Sequence, residues 1–155
     1  MRFQEEDFDC GPASLVNIAA AFGRKVSLAR AGKVAGTTES GTDEKGMLRG
    51  LSKLGFEGTE FQTSIQSEAM SWLKGQLLLG YPTILVVEKN DHWAIAAGLL
   101  GDRIVYIDSA DYEQNKRENG IYVYSQRKVA NLWKARWEGR RIPCYYGISV
   151  RKKDR

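Results

Sequence analysis

The sequence predicts an α+β domain, with helices in its first half and a mostly antiparallel β-meander after them. Three observations carry this. Apolar residues recur at helical spacing until about residue 79. From Thr83 onward, short β-rich runs alternate with turn residues. Strands do not alternate with helices, as a parallel sheet would require. The 155 residues contain no repeat, low-complexity stretch or linker, so one domain spanning 1–155 is expected.

After Cys10-Gly11-Pro12, the residues Leu15, Ile18, Ala19 and Phe22 form an apolar stripe, and Gly23 stops it. Proline is tolerated in a first helical turn, where its missing N–H is not needed. Cys10 therefore belongs at a helix N-terminus. A second, short helix is expected from Ser27 to Gly36. Thr42, followed by Asp43 and Glu44, reads as the cap of a third, with Met47, Leu48, Leu51 and Leu54 inward and Gly55 at its end. A fourth runs from Ser67 to Leu79, closed by Gly80 with Pro82 beyond. Strands follow at 83–88, 92–100 and 103–108, separated by turns at 89–91 and at Gly101-Asp102. The segment 111–119 is polar and loop-like, and Ile121 to Tyr124 is a short strand. Ser125 caps a helix with Val129, Leu132, Trp133 and Trp137 inward, and Cys144 to Val150 is a final strand.

No apolar run approaches the eighteen or so residues of a membrane span. The first residues are acidic and polar, so no signal peptide is expected and a cytoplasmic location is the reading. In that setting Cys10 and Cys144 are expected as reduced thiols. With one histidine and no close ligand spacing, a zinc site is disfavoured, and no cofactor or metal is expected. Charge is uneven. Residues 1–100 hold 10 basic against 12 acidic side chains, net −2, whereas 101–155 hold 13 against 7, net +6. No nucleic-acid motif accompanies the basic end, which reads as a solvated helix face and tail. The sequence does not specify an oligomeric state.

The chemistry-bearing residues are few. Gln4 stands six residues before Cys10, the only histidine is His92, and Asp108 follows sixteen positions later. A thiol is nucleophilic as thiolate, and its free pKa of about 8.5 leaves little of that form at neutral pH. A helix N-terminus beside Cys10 and an imidazolium from His92 would both favour the thiolate. His92 begins one predicted strand and Asp108 ends the next, so an antiparallel hairpin brings them to one sheet edge. There the carboxylate would fix the imidazole tautomer and orientation. Asp91 adjoins His92 but alternates to the opposite face. Gln4 and the Cys10 backbone N–H are candidate oxyanion donors. Each residue has a plainer role when taken alone: buried small hydrophobe, core histidine, turn aspartate, surface glutamine. Together they fill every role of a thiol triad in a workable order.

At these positions the chain resembles the papain-like cysteine peptidases, in particular the bacteriocin-processing family that removes double-glycine leader peptides. That family's nucleophile motif is a Gln, five residues, then Cys-Gly and a short helix, matched by Gln4 and Cys10-Gly11-Pro12-Ala13-Ser14-Leu15. The stretches 36–42 and Leu51-Ser52-Lys53-Leu54-Gly55-Phe56 are similar to its next segments. So are Gly80-Tyr81-Pro82 and His92-Trp93. The resemblance runs from Gln4 to about Asp108. It implies a papain-like fold with N-terminal helices packed on a C-terminal antiparallel sheet. It also implies Cys10 as nucleophile, His92 as base, Asp108 as orienting acid and Gln4 in the oxyanion hole. Ser109 stands where the family often has proline, and the segment past Asp111 matches no familiar motif.

The expectation is a stand-alone cysteine peptidase without transporter domains, acting on a peptide or protein substrate, with leader-peptide processing as one form. Two alternatives stay open: an acyltransferase, transglutaminase-type or deamidase enzyme using the same residues, and a non-catalytic peptide-binding module. The acids Glu5, Glu6, Asp7 and Asp9 hint at basic residues near the scissile bond, or form only a solvated loop.

Overall fold

The computed structural model describes residues 1–88, 92–136 and 143–154. Its elements are α1 (Cys10–Ala21), α2 (Leu28–Ala35), α3 (Glu44–Lys53), β1 (Phe56–Thr63), α4 (Gln66–Leu78), β2 (Thr83–Val87), β3 (His92–Leu100), β4 (Arg103–Ile107), α5 (Glu113–Arg117), β5 (Ile121–Tyr124), α6 (Gln126–Trp133), β6 (Ala135–Arg136) and β7 (Pro143–Lys152). The sheet order is β1-β7-β2-β3-β4-β5, with β6 on β7 off this path. The chain forms two compact units. One comprises Met1–Gly58, Asp108–Gly120 and Val150–Arg155; the other comprises Thr59–Ile107 and Ile121–Ser149.

The first unit is built on three mutually packed helices. Leu15 and Ile18 of α1, Ala31 and Ala35 of α2, and Met47 and Leu51 of α3 are buried. The boundaries follow local chemistry. Ser27 caps α2, its hydroxyl accepting the Arg30 N–H at 3.1 Å, and Gly36 closes it in the left-handed region. The α3 cap differs from the expected Thr42. Asp43 Oδ1 accepts the Gly46 N–H at 2.7 Å, while the Thr42 hydroxyl is bonded to that of Thr37 at 2.7 Å. A carboxylate also suits the positive helix end better than a hydroxyl. Glycines let the helices meet closely. A Cβ on Gly46 would lie 2.5 Å from the Ala35 carbonyl oxygen.

The second unit is the antiparallel meander β2-β3-β4-β5, with β7 returning to pair with β2. Alternation sends Leu85, Val87, Ala94, Ala96, Ile104 and Tyr106 to one face. There they pack with Ala69, Leu73 and Leu77 of α4 and Val129 and Trp133 of α6. Trp133 anchors this core: fully buried, it donates its indole N–H to the Tyr146 carbonyl at 2.7 Å. Its ring meets Tyr145 edge-on, with centroids 5.5 Å apart.

Several further features differ from the sequence expectation. The strand β1 is not foreseen by the residue pattern, and polar pairs tie it to β7. Glu57 pairs with Arg151 at 2.9 Å, Tyr146 donates its hydroxyl to Glu60, and the Gln62 amide donates to Cys144 Sγ at 3.2 Å. The Arg151 guanidinium holds the exposed Glu57 carboxyl below its ordinary pKa. The segment 111–119, expected as a loop, contains the single-turn helix α5. The last strand runs from Pro143 to Lys152, longer than 144–150. Finally, β4 ends at Ile107, so Asp108 follows the strand instead of closing it. The expected turn at 89–91, with Asp91, and the inward Trp137 lie outside the described residues. The helix after Ser125, expected to reach Trp137, ends at Trp133 and gives way to β6 at Ala135–Arg136; the remaining expected elements stand within a residue or two.

Two glycine substitutions should have opposite signs. Gly→Ala inside a helix ordinarily adds about 1 kcal/mol of stability. At Gly75 of α4 an added methyl would meet nothing within 4 Å, so Gly75→Ala should follow that rule. Gly46→Ala should instead cost about 2 kcal/mol, because the methyl overlaps backbone that cannot rotate away. Urea unfolding of the two variants checks both signs.

Candidate active site

Cys10 is the first residue of α1, and its side chain is buried. The local sequence enforces this position. Pro12 supplies no N–H, and Gly11 lets the turn approach the next segment. A Cβ there would lie 2.6 Å from the Thr42 hydroxyl and 3.2 Å from Met47 Sδ. Asp9 precedes the helix but makes no side-chain cap to it. Its carboxylate turns back instead, and Oδ2 accepts the Glu6 N–H at 3.1 Å. The helix start thus keeps its partial positive charge beside the thiol, without a capping carboxylate over it.

Gln4 is linked to that turn through one carbonyl. The Glu6 carbonyl accepts the Asp9 N–H at 3.0 Å and the Gln4 Nε2 at 3.1 Å. The other acids are used up locally or solvated: Arg2 pairs with Glu5, and Glu6 and Asp7 are exposed. This favours the solvated-loop reading of the acidic stretch.

Asp108 belongs to the same unit, and the structure joins its segment to Gln4. The Gln4 N–H donates to the Ser109 carbonyl at 2.9 Å, and the Ser109 hydroxyl reaches Gln4 Oε1 at 3.5 Å. Ser109 therefore makes a side-chain bond that proline at this position could not. The Asp108 side chain is 5% exposed, and Oδ1 accepts the Ala110 N–H at 2.9 Å. Its backbone is held on both sides. The N–H donates to the Gly120 carbonyl at 2.8 Å, and the carbonyl accepts the Asn115 side-chain amide at 2.9 Å.

His92 belongs to the second unit, where it opens β3 opposite Val87 of β2 and is 8% exposed. Strand alternation puts it on the face of Ala94 and Ala96. The β3–β4 ladder ends at the pair Ile95↔Ile107, three residues beyond His92 on β3, with a register shift between Ala96 and Gly98. The second thiol, Cys144, lies on β7 and is as buried as Cys10, at 7% exposure for each. It lies within a strand and not at the first turn of a helix, and neither cysteine is in a disulfide. Sequence reasoning missed Ser109 and Asn115, both buried. The Asn119-Gly120 dipeptide, with φ of 57° and 65°, was the available signal that the loop after Asp108 closes on itself.

Comparison with known proteins agrees with this fold. The model of the Peptidase C39 family matches residues 1–135. The lactococcin-G-processing and transport ATP-binding protein LagD of Lactococcus lactis subsp. lactis is 26% identical over 135 residues, covering 82% of this chain. The match spans only 19% of LagD's own length. Among solved structures, the peptidase domain of Streptococcus ComA, a bi-functional ABC transporter involved in quorum sensing, superposes with a TM-score of 0.72. It does so at 20% identity, covering 98% of this chain and 97% of that domain. A double-glycine-motif protease from an AMS/PCAT transporter, solved with its leader peptide, also gives 0.72. Its identity is 17%, with coverage of 97% and 89%. These structures share the mixed helical and antiparallel-sheet fold described above. With 135 of 155 residues matched, the chain belongs to the Peptidase C39 family of cysteine peptidases.

Proposed function

We propose that this chain hydrolyses a peptide bond after a double glycine in a leader peptide, using Cys10 as nucleophile, His92 as base, Asp108 as the acid that orients it and Gln4 as an oxyanion donor. The observation that carries the reading is Cys10 at the uncapped start of α1, the one thiol among the described residues that is itself in the first turn of a helix. The substrate comes from the relatives, since the AMS/PCAT protease is a double-glycine-motif enzyme.

In the proposed sequence, the Cys10 proton passes to His92 and the thiolate attacks the carbonyl carbon of the second glycine. The oxyanion that forms is met by the Cys10 backbone N–H and by the Gln4 amide. One hydrogen of Gln4 Nε2 goes to the Glu6 carbonyl, which fixes the amide; the other is the one the oxyanion would receive. Collapse breaks the C–N bond, and His92 returns its proton to the departing amine, leaving a thioester on Cys10. Water, deprotonated by His92, then releases the acid product and restores the thiol. Asp108 acts throughout by holding the imidazole tautomer and favouring imidazolium.

Two measurements test this. Cys10→Ala should abolish cleavage of a synthetic leader peptide ending in Gly-Gly while leaving the circular dichroism spectrum unchanged. Mass spectrometry should place the parent's cut after the second glycine. Residual cleavage by the variant would move the nucleophile elsewhere, and amine incorporation in place of hydrolysis would make the enzyme a transferase. Separately, Cys10 should react with iodoacetamide at pH 6 faster than a free thiol, and on the order of tenfold or more faster than Cys144. Equal burial of the two thiols removes accessibility as the cause, so equal slow labelling would sink the activated-nucleophile claim.

A further inference from the structure

Asp108 leaves β4 into a thirteen-residue loop that returns on itself at Gly120. At its centre stands Asn115, fully buried although it is a polar residue in a helix of five residues. Its amide nitrogen has two hydrogens, and both are used. One goes to the Asp108 carbonyl at 2.9 Å and the other to the Ala110 carbonyl at 2.7 Å. Its own backbone carbonyl accepts the Gly120 N–H at 2.9 Å, and the Gly120 carbonyl accepts the Asp108 N–H at 2.8 Å. The two carbonyls that Asn115 grips flank the Ala110 N–H that meets the Asp108 carboxylate. Gly120 completes the closure: at φ 65°, a Cβ there would lie 2.5 Å from the Asp108 carbonyl oxygen.

We propose that Asn115 is a positioning residue of the peptidase, fixing the Asp108 carboxylate by clamping the carbonyls of Asp108 and Ala110 from within the loop. The proposal rests on the reading of Asp108 as the triad acid. Residue type is decisive here. Aspartate would have the same shape but would set carboxylate oxygens against two carbonyl oxygens, and alanine would remove the amide donor from both carbonyls. Either change frees the turn that aims the carboxylate. A misplacement of about 1 Å at a catalytic group costs on the order of a hundredfold in rate.

The test uses the full chain and the Gly-Gly leader peptide, with Asn115→Ala, Asn115→Asp, Asp108→Ala and the double variant Asp108→Ala/Asn115→Ala. Active-site titration with iodoacetamide scales each rate to folded enzyme, so loss of material is not read as loss of catalysis. Both Asn115 variants should lower kcat by about 10- to 100-fold with KM within about twofold. An imidazolium that loses its carboxylate partner is less favoured, so the alkaline limb of kcat/KM should move to lower pH. In the Asp108→Ala background, Asn115→Ala should add less than about twofold, because its effect passes through the missing carboxylate.

Three results would overturn the inference. Asn115 variants that melt earlier yet keep the parental kcat and pH limb would make the residue structural only. A loss as large in the Asp108→Ala background as in the parent would route the effect elsewhere. Parental activity in Asp108→Ala itself would instead remove the triad reading on which the proposal stands, and that outcome is visible in the single variant alone.

Discussion

The chemistry of the first unit depends on where α1 begins. A thiol one turn further into the helix would face the lateral surface, with no partial charge beside it. The start is fixed by exclusion. Pro12 cannot continue a helix from its N-terminal side, and Gly11 must lie against Thr42 and Met47 with no room for a side chain. Asp9 is the natural capping residue, yet its carboxylate is held by the Glu6 N–H. A side-chain cap would have placed negative charge on the N–H groups of the helix start. The acidic stretch before Cys10 is thus folded so that its nearest carboxylate points away from the helix start.

The other candidate residues are held by different physical means. His92 is fixed by its strand: backbone pairing with Val87 sets its register, and alternation sets its face. Asp108 lies just beyond β4, where no ladder continues, and side-chain and turn bonds replace the ladder. Gln4 lies in no regular element. Its backbone is tied to Ser109 and its amide to Glu6, so the same short segment contacts both the loop after Asp108 and the turn before Cys10. Loops that carry function on a rigid scaffold usually need such local bonds, because an unpaired backbone has no other source of order.

Much of this was legible in the residues. The helices α1 to α4 and the strands β2 to β5 were readable because period and punctuation agree within each segment, as in Met47, Leu51 and Leu54 before Gly55. What was missed depends on partners distant in sequence. The strand β1 carries Phe56 and Phe61 at odd spacing, so no single face is apolar, and its order comes from β7. The helix α5 is five residues long, too short for a 3.6-residue period to show. The cap of α3 lies one residue later than expected because Thr42 is occupied by Thr37, a contact that composition cannot announce. Within the candidate site, the residue types were readable but their support was not. Asn115 is an ordinary polar residue until the chain brings it back beneath Asp108.

The two cysteines show how little burial alone says about the surroundings of a thiol. Cys10 and Cys144 are equally shielded, and each is a small side chain in a packed setting. Cys144 lies in a strand whose peptide dipoles alternate, with the Gln62 amide hydrogen-bonded to its sulfur. Cys10 lies where helical peptide dipoles add. The same residue type at the same depth therefore sits in two electrostatic settings, and the direction of the surrounding backbone decides between them.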